Sequence, residues 1–386
     1  MSAYTGAFWA ANLCNLFCLA GNTALLVLVP LHLERAGYPR WELGVIAGAF
    51  SLAGILIRIE LGNWCHLRGR RFFFLFGCLL TALASLALAS GFTQPLLVAA
   101  IRMVHGAGIA IYLTSIWTWV ADLAPPERVG ELQGMFGVSG LLAGALGPAL
   151  GEALVARAGF PVLFLAAGVL SLAAFVGLLG LPDFHPQGAP SPASIFELMG
   201  RRSLAPMLGV SVPLGWAMGL VWCFLAPYGV TRGLSSVAPF FLAFSVASIL
   251  VRLGTGSWLD RLGPERLIPT ALACQVLSLL LLCKLAPSNA VVLLSGAALL
   301  YGLAHGVAYP ALSLLTLRRT DPGDRSTGMA LFTAAFDGGF LLGALASGLV
   351  AQVLSYPACF AVAASVLATS LAGFHGSALR RRAENS

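Results

Sequence analysis

Arg58-Ile-Glu-Leu-Gly62-Asn-Trp64-Cys-His66-Leu67-Arg68-Gly69 and Arg252-Leu-Gly-Thr-Gly256-Ser-Trp258-Leu-Asp260-Arg261-Leu-Gly263 are two copies of one pattern, 194 residues apart in a chain of 386. In each, an arginine is followed four residues on by glycine, six on by tryptophan and eleven on by glycine. A repeat offset of half the chain means that the fold is built twice. The flanks say what is built. Apolar runs at about 42–61 and 72–91 border the first copy, and runs at about 237–257 and 267–286 border the second. Each has the ~20 residues needed to cross a ~30 Å hydrocarbon core. The pattern is therefore a polar turn joining two membrane helices.

Working outward with the same ruler adds spans at about 6–31, 95–121, 132–157, 160–181, 204–229, 290–317, 327–354 and 357–375, twelve in all. Spans 5 and 6 are parted only by Ala158-Gly159-Phe160-Pro161. Further pairs recur in order. Pro30 and Arg35 match Pro227 and Arg232, Pro125 and Arg128 match Pro322 and Arg325, and His105-Gly106 matches His305-Gly306. The stretch 182–203 carries four prolines and Arg201-Arg202, with a short surface helix expected at Ile195–Met199. The expected organisation is a six-helix bundle over 1–181, a linker over 182–203, a second six-helix bundle over 204–379 and a tail over 380–386. This is an all-α integral membrane fold of twelve transmembrane helices in two pseudo-symmetric six-helix bundles. In twofold-repeated transporters the substrate site lies between repeats near the midplane.

Composition agrees. Hydrophobic residues make up 59% and charged residues 10% of the chain, against roughly 25% charged in soluble domains. That excludes a soluble globule and a disordered chain, and the 44 glycines show no collagen repeat. The first apolar run is too long for a signal-peptide core and is read as a retained helix. The eight cysteines form no CxxC pair or metal-ligand spacing and read as small core hydrophobes. With the N-terminus in the cytoplasm, fourteen Lys and Arg residues fall on inner connections and the tail, and five on outer ones. The positive-inside rule then places both termini in the cytoplasm. The net charge of +7 reflects topology, and no nucleic-acid partner is implied.

Polar groups inside the spans are few and costly. Span 1 carries Asn12, Asn15 and Asn22 on one face, and span 4 carries Arg102, His105 and Tyr112. Span 7 adds Trp216 and Trp222, span 10 adds Tyr301, His305 and Tyr309, and span 11 adds Phe336 and Asp337. Together they would line a cavity for a mid-sized amphiphile or small polar organic molecule. The alternative for each is polar glue between helices. Asp337 lies about ten residues into span 11 and Glu152 nearer the outer end of span 5. A carboxyl neutral in one state and ionised in another can carry a proton, so Asp337, then Glu152, are the expected coupling groups. No metal site, cofactor motif, phosphate-cradling loop or nucleophile–base pair stands out, so neither an enzyme nor an ATP-driven pump is expected.

These residues resemble the major facilitator superfamily over essentially the whole chain. The turn at Gly62–Arg71 resembles its signature Gly-x-x-x-Asp-Arg-x-Gly-Arg-Arg, with His66 at the Asp position and Leu67 at the first basic one. The second copy keeps Asp260 and Arg261. The resemblance implies a conformational latch at the cytoplasmic helix ends, formed by Arg58, Gly62, Gly69, Arg70, Arg128, Arg252, Gly256, Asp260, Arg261 and Arg325. Arg102-x-x-His105-Gly106-x-Gly108 resembles the family's span-4 motif. Gly140, Gly144, Gly147, Pro148 and Gly151 resemble the Gly-Pro motif of its exporters, with Glu152 at the last glycine. The alternative there is close packing of small residues. The ends of spans 1 and 7 resemble the twelve-helix drug and metabolite efflux branch. The resemblance thus implies a monomeric, proton-coupled exporter of a small organic molecule in a bacterial-type inner membrane. The rivals are proton-coupled uptake, a passive channel and a non-transporting polytopic protein.

Overall fold

The computed structural model describes residues 4–125, 128–184, 194–321 and 324–384. The side chains at 59, 60, 62, 63, 66, 67, 253, 255–260, 326 and 376–384 lie outside the described set.

Every long element among these residues is a helix, as lipid requires of a chain that must satisfy its own backbone. In order they are α1 (Gly6–Arg35), α2 (Arg40–Leu88), α3 (Pro95–Leu123), α4 (Val129–Leu178), α5 (Ile195–Met199), α6 (Ala205–Thr231), α7 (Ala238–Leu262), α8 (Pro264–Leu282), α9 (Ala290–Arg318), α10 (Arg325–Val353) and α11 (Tyr356–Glu384). Thr5 caps α1 by accepting a hydrogen bond from the Phe8 N–H, and Pro95 opens α3. Two helices are double length. α2 breaks at Gly69, with φ 75°, and α4 breaks at Gly159, with φ 79°. α7 and α8 part at Gly263, with φ 77°. All three backbones are left-handed, where glycine carries no steric penalty. Gly69 and Gly263, the last residues of the two repeats, thus make the same turn.

Among the described residues, ten helical segments are long and apolar enough to cross a membrane, and Ala238–Arg252 is a shorter apolar helix. Val129–Leu178 alone provides two crossings, one each side of Gly159. The fold is all-α, with twelve transmembrane spans.

The chain forms two compact units: Met1–Tyr38 with Val45–Ala189, and Pro39–Gly44 with Pro190–Ser386. The main division falls inside 182–203. In the first unit α1 lies along α4. The core gathers Phe8, Cys14 and Cys18 of α1, Phe74 and Cys78 of α2, Tyr112, Ile116 and Trp119 of α3, and Phe136 of α4. All eight cysteines are free, and six are buried. In the second unit α10 lies along α6, α9 packs on α7 and α8, and α11 packs on α6 and α8.

One internal match needs correction. A Cβ at Gly106 would sit 1.9 Å from the Phe50 carbonyl oxygen, and one at Gly302 would sit 2.5 Å from that of Phe244. Phe50 and Phe244 are separated by the same 194 residues as the opening repeat. The counterpart of Gly106 is therefore Gly302, one turn before Gly306. The counterpart of His105 is Tyr301, and that of His305 is Ile109. The ring contacts allow this register, with His105 against Phe50 at 5.3 Å and Tyr301 against Phe244 at 5.7 Å, and the glycine crossing decides it. The repeated His-Gly dipeptide is out of register because the backbone crossing sets the alignment.

Candidate transport site and helix-end clasps

In the first unit the polar residues of α1 and α3 turn toward one another. Asn15 Nδ2 donates to Ser139 Oγ at 2.8 Å, Tyr112 donates its hydroxyl to Asn15 Oδ1 at 3.1 Å, and Ser139 donates to the Phe136 carbonyl at 2.6 Å. Asn12 Nδ2 donates to the Phe8 carbonyl at 3.0 Å. Asn22 is buried with no partner for its Oδ1 among the described residues. The chain of bonds through Asn15 ties α1, α3 and α4 together, the glue role open to these residues from the start.

Arg102 is 1% exposed and His105 fully buried. Arg102 Nη1 lies 2.6 Å from His105 Nδ1, and its guanidinium carbon lies 4.6 Å from the Phe50 ring centre. A guanidinium only donates, so Nδ1 accepts and the imidazole proton sits on Nε2. The guanidinium rests on the negative face of the Phe50 ring.

The glycines of α4 are seats for α1. A Cβ at Gly147 would lie 2.2 Å from Thr23 Oγ1 and 2.4 Å from the Ala20 carbonyl, and one at Gly151 would lie 2.7 Å from Leu28. At Gly140 the nearest contact is Leu19 at 3.4 Å. Pro148 and Gly144 are buried in the same helix. Glu152 is half-buried, on the side of α4 away from the exposed Leu146 and Leu150.

The second unit gathers an aromatic group. His305 meets Phe244 and Tyr309, each at 5.8 Å, and Phe336 at 6.4 Å. Tyr309 meets Phe332 at 5.1 Å and Phe336 edge-on at 5.5 Å. His305, Tyr309, Phe336 and Asp337 are all half-buried. By helical phase, His305 stands across α9 from the exposed Leu299 and Leu303, and Asp337 across α10 from the exposed Leu342 and Leu349. Arg252 of α7 is within electrostatic reach of His305 and Tyr309. Tyr301 and Trp222 are buried around Met218, with Trp222 Nε1 donating to its sulfur at 3.1 Å. Trp216 is half-buried, and its Nε1 has no partner among the described residues.

At the helix ends, Arg70 forms an ion pair with Asp122, and the Arg71 N–H donates to Asp183 at 3.0 Å. Arg128 grips Glu131 with two bonds of 2.7 and 2.6 Å, and Tyr4 donates to the same carboxylate at 2.5 Å. The hydrogen bond to Glu131 pushes the Tyr4 hydroxyl above its ordinary range. In the second unit Arg319 pairs with Glu265 at 3.7 Å, and Arg201 pairs with Asp321 at 2.8 Å and Asp324 at 3.2 Å. Arg58 and Arg252 are half-buried, and Arg261 and Arg325 are exposed. The side chain of Asp260 and the surroundings of Gly62 and Gly256 lie outside the described residues.

Two of these pairs occupy similar places in the two units with opposite polarity, one residue out of register after the glycine. Arg70 follows Gly69, and Glu265 follows Gly263 by two. Asp122 and Arg319 each stand three residues before the matched Pro125 and Pro322. The first unit pairs Arg70 with Asp122, and the second pairs Glu265 with Arg319. Sequence reasoning found Arg70 and missed the other three. The available signal was the charge three residues before each proline.

The model of the Major Facilitator Superfamily matches residues 11–322 and, in a second overlapping match, 241–385. An uncharacterized MFS-type transporter of Salmonella typhimurium is 26% identical over 359 residues, covering 91% of each chain. Multidrug resistance protein 3 of Bacillus subtilis is 36% identical over 90 residues, 23% of this chain and 17% of the relative. The crystal structure of the nucleoside transporter NupG superposes with a TM-score of 0.78 at 15% identity, covering 96% of this chain and 99% of that one. At that identity the likeness is one of fold.

Proposed function

We propose that this chain, which belongs to the Major Facilitator Superfamily and is a multi-pass membrane transporter rather than an enzyme, exports a small organic molecule in exchange for protons by alternating access. Asp337 is the proton-carrying group in this reading. The observation that carries it is the placement of Asp337: a carboxyl in mid-span, half-buried, on the face of α10 turned from the exposed leucines. A carboxyl there changes its solvation whenever the helix changes its surroundings, which is what proton coupling needs. Glu152 is the second candidate on the same ground. The grouped rings of His305, Tyr309 and Phe336 favour an aromatic or amphiphilic substrate over a polyol. In this reading the arginine bias supports both termini in the cytoplasm of a bacterial-type inner membrane, with the transporter acting as a monomer.

The experiment is reconstitution into liposomes with an imposed pH gradient and a panel of aromatic metabolites and drugs. Wild-type flux should follow the gradient. Asp337→Asn should lose gradient-driven accumulation and keep downhill exchange. Undiminished coupling in that variant removes Asp337 from the role.

Proton-coupled uptake is the second reading, left open by the α4 glycines. Gly147 and Gly151 are occupied in seating α1, so their likeness to the exporter motif has a packing explanation. Vesicles of known orientation separate the two by the gradient direction that drives accumulation.

A further inference from the structure

α5 is five residues long and firmly held. Ser194 Oγ accepts from the Glu197 N–H, and the Glu197 carboxylate accepts from the Ser194 N–H, closing a capping box. Leu198 is fully buried, and α5 packs against α10. Just past the helix, Arg201 bonds both Asp321 and Asp324 at the start of α10. These contacts fix the rotation of the helix. They leave Phe196 and Met199, one turn apart on one face, 69% and 56% exposed.

In water, fixing two large apolar side chains outward is unfavourable in proportion to the area left wet. Nothing in the local bonding requires that face, since the cap and the Arg201 pairs use other atoms. Beyond Gly200 the chain turns within five residues into α6, an apolar membrane-crossing helix. α5 therefore stands at the level where the second unit enters the bilayer.

The charges at this end of the unit are sorted. Glu197, Asp321, Asp324 and Glu265 are engaged by the Ser194 N–H, by Arg201 and by Arg319. Arg202, Arg261, Arg266, Arg318 and Arg325 are exposed. An apolar face with a surplus of exposed arginine complements one surface that a membrane protein always meets, an anionic lipid–water interface.

We propose that α5 is an interfacial anchor, with Phe196 and Met199 inserted among acyl chains and the exposed arginines set against the phosphates of anionic glycerophospholipids. Its effect is to hold the entry of α6 at a fixed depth. The anchor does not depend on the direction or substrate of transport.

The test places a benzophenone amino acid at Phe196 and, in a second variant, at Met199. The full chain is reconstituted in bilayers of equal phosphatidylcholine and phosphatidylglycerol, irradiated and weighed intact. Elution as a single species matching wild type establishes folding of each variant. The expected result is a lipid adduct at both positions, with the anionic lipid captured about fivefold over the zwitterionic one. Cross-links to protein only, whether to a second copy or to the same chain, overturn the proposal. Equal capture of the two lipids overturns the anionic assignment.

Discussion

At Gly106 a methyl group would meet the Phe50 carbonyl oxygen at 1.9 Å, a distance that only backbone movement can relieve. Alanine in place of a helical glycine is normally favourable by about 1 kcal/mol. Here overpacking of about 1–3 kcal/mol opposes that gain and wins. Gly106→Ala should therefore lower Tm in a detergent melt, and Gly302→Ala should do so at the equivalent crossing. Gly134→Ala, with nothing within 4 Å, should leave Tm unchanged or raise it. The same crossing explains what residue-level reading reached. A repeated His-Gly pair was visible, yet identity of letters does not set register in a helix. The contact that does set it, a carbonyl against a glycine, involves no side chain to read. The inward turn of Arg102 was legible, because a charge facing lipid is costly. Its partner His105, three residues on, was legible only as a neighbour.

At the scale of elements, each unit has a clasp between the turn after its glycine break and the far end of the helix before the matched proline. Arg70–Asp122 is the tighter, with side chains 15% and 29% exposed. Part-exposed pairs contribute about 0.2–1 kcal/mol. Arg70→Asp sets two carboxylates together and should lower Tm and weaken with added salt. Arg70→Asp with Asp122→Arg should restore most of the loss, and Glu265→Arg with Arg319→Glu should do the same in the second unit. A double variant no better than the single would mean that these contacts contribute nothing. The breaks at Gly69 and Gly263 were legible because left-handed turns call for glycine. The acidic partner was not, because a loop carboxylate has several cations in reach and only the folded geometry selects one. The polarity reversal shows that the repeat preserves the contact and not the residue.

At the scale of the whole molecule, charge placement makes the prediction. With both termini in the cytoplasm, a reporter fluorescent only in the cytoplasm should glow when fused at the C-terminus, and alkaline phosphatase fused there should stay inactive. Active phosphatase would invert the topology. The twelve crossings and the twofold build were legible because lipid imposes one length and one hydrogen-bond solution on every span. The aromatic group around His305 was legible as residues and not as an arrangement, since α7, α9 and α10 meet there by tertiary packing alone.

The contact of α6 with α10 has a mechanical consequence. Methyl groups at Gly215 and Gly219 would strike the Phe336 and Phe340 carbonyls, and those at Gly339 and Gly343 would strike the Val212 and Trp216 carbonyls. Along this seam main chain rests on main chain, with no layer of flexible side chains to absorb a displacement. Two rods so joined shift together or not at all. A displacement of α6 along residues 212–219 therefore meets main chain directly at the turn of α10 that holds Asp337, with no relay of side-chain bonds between them.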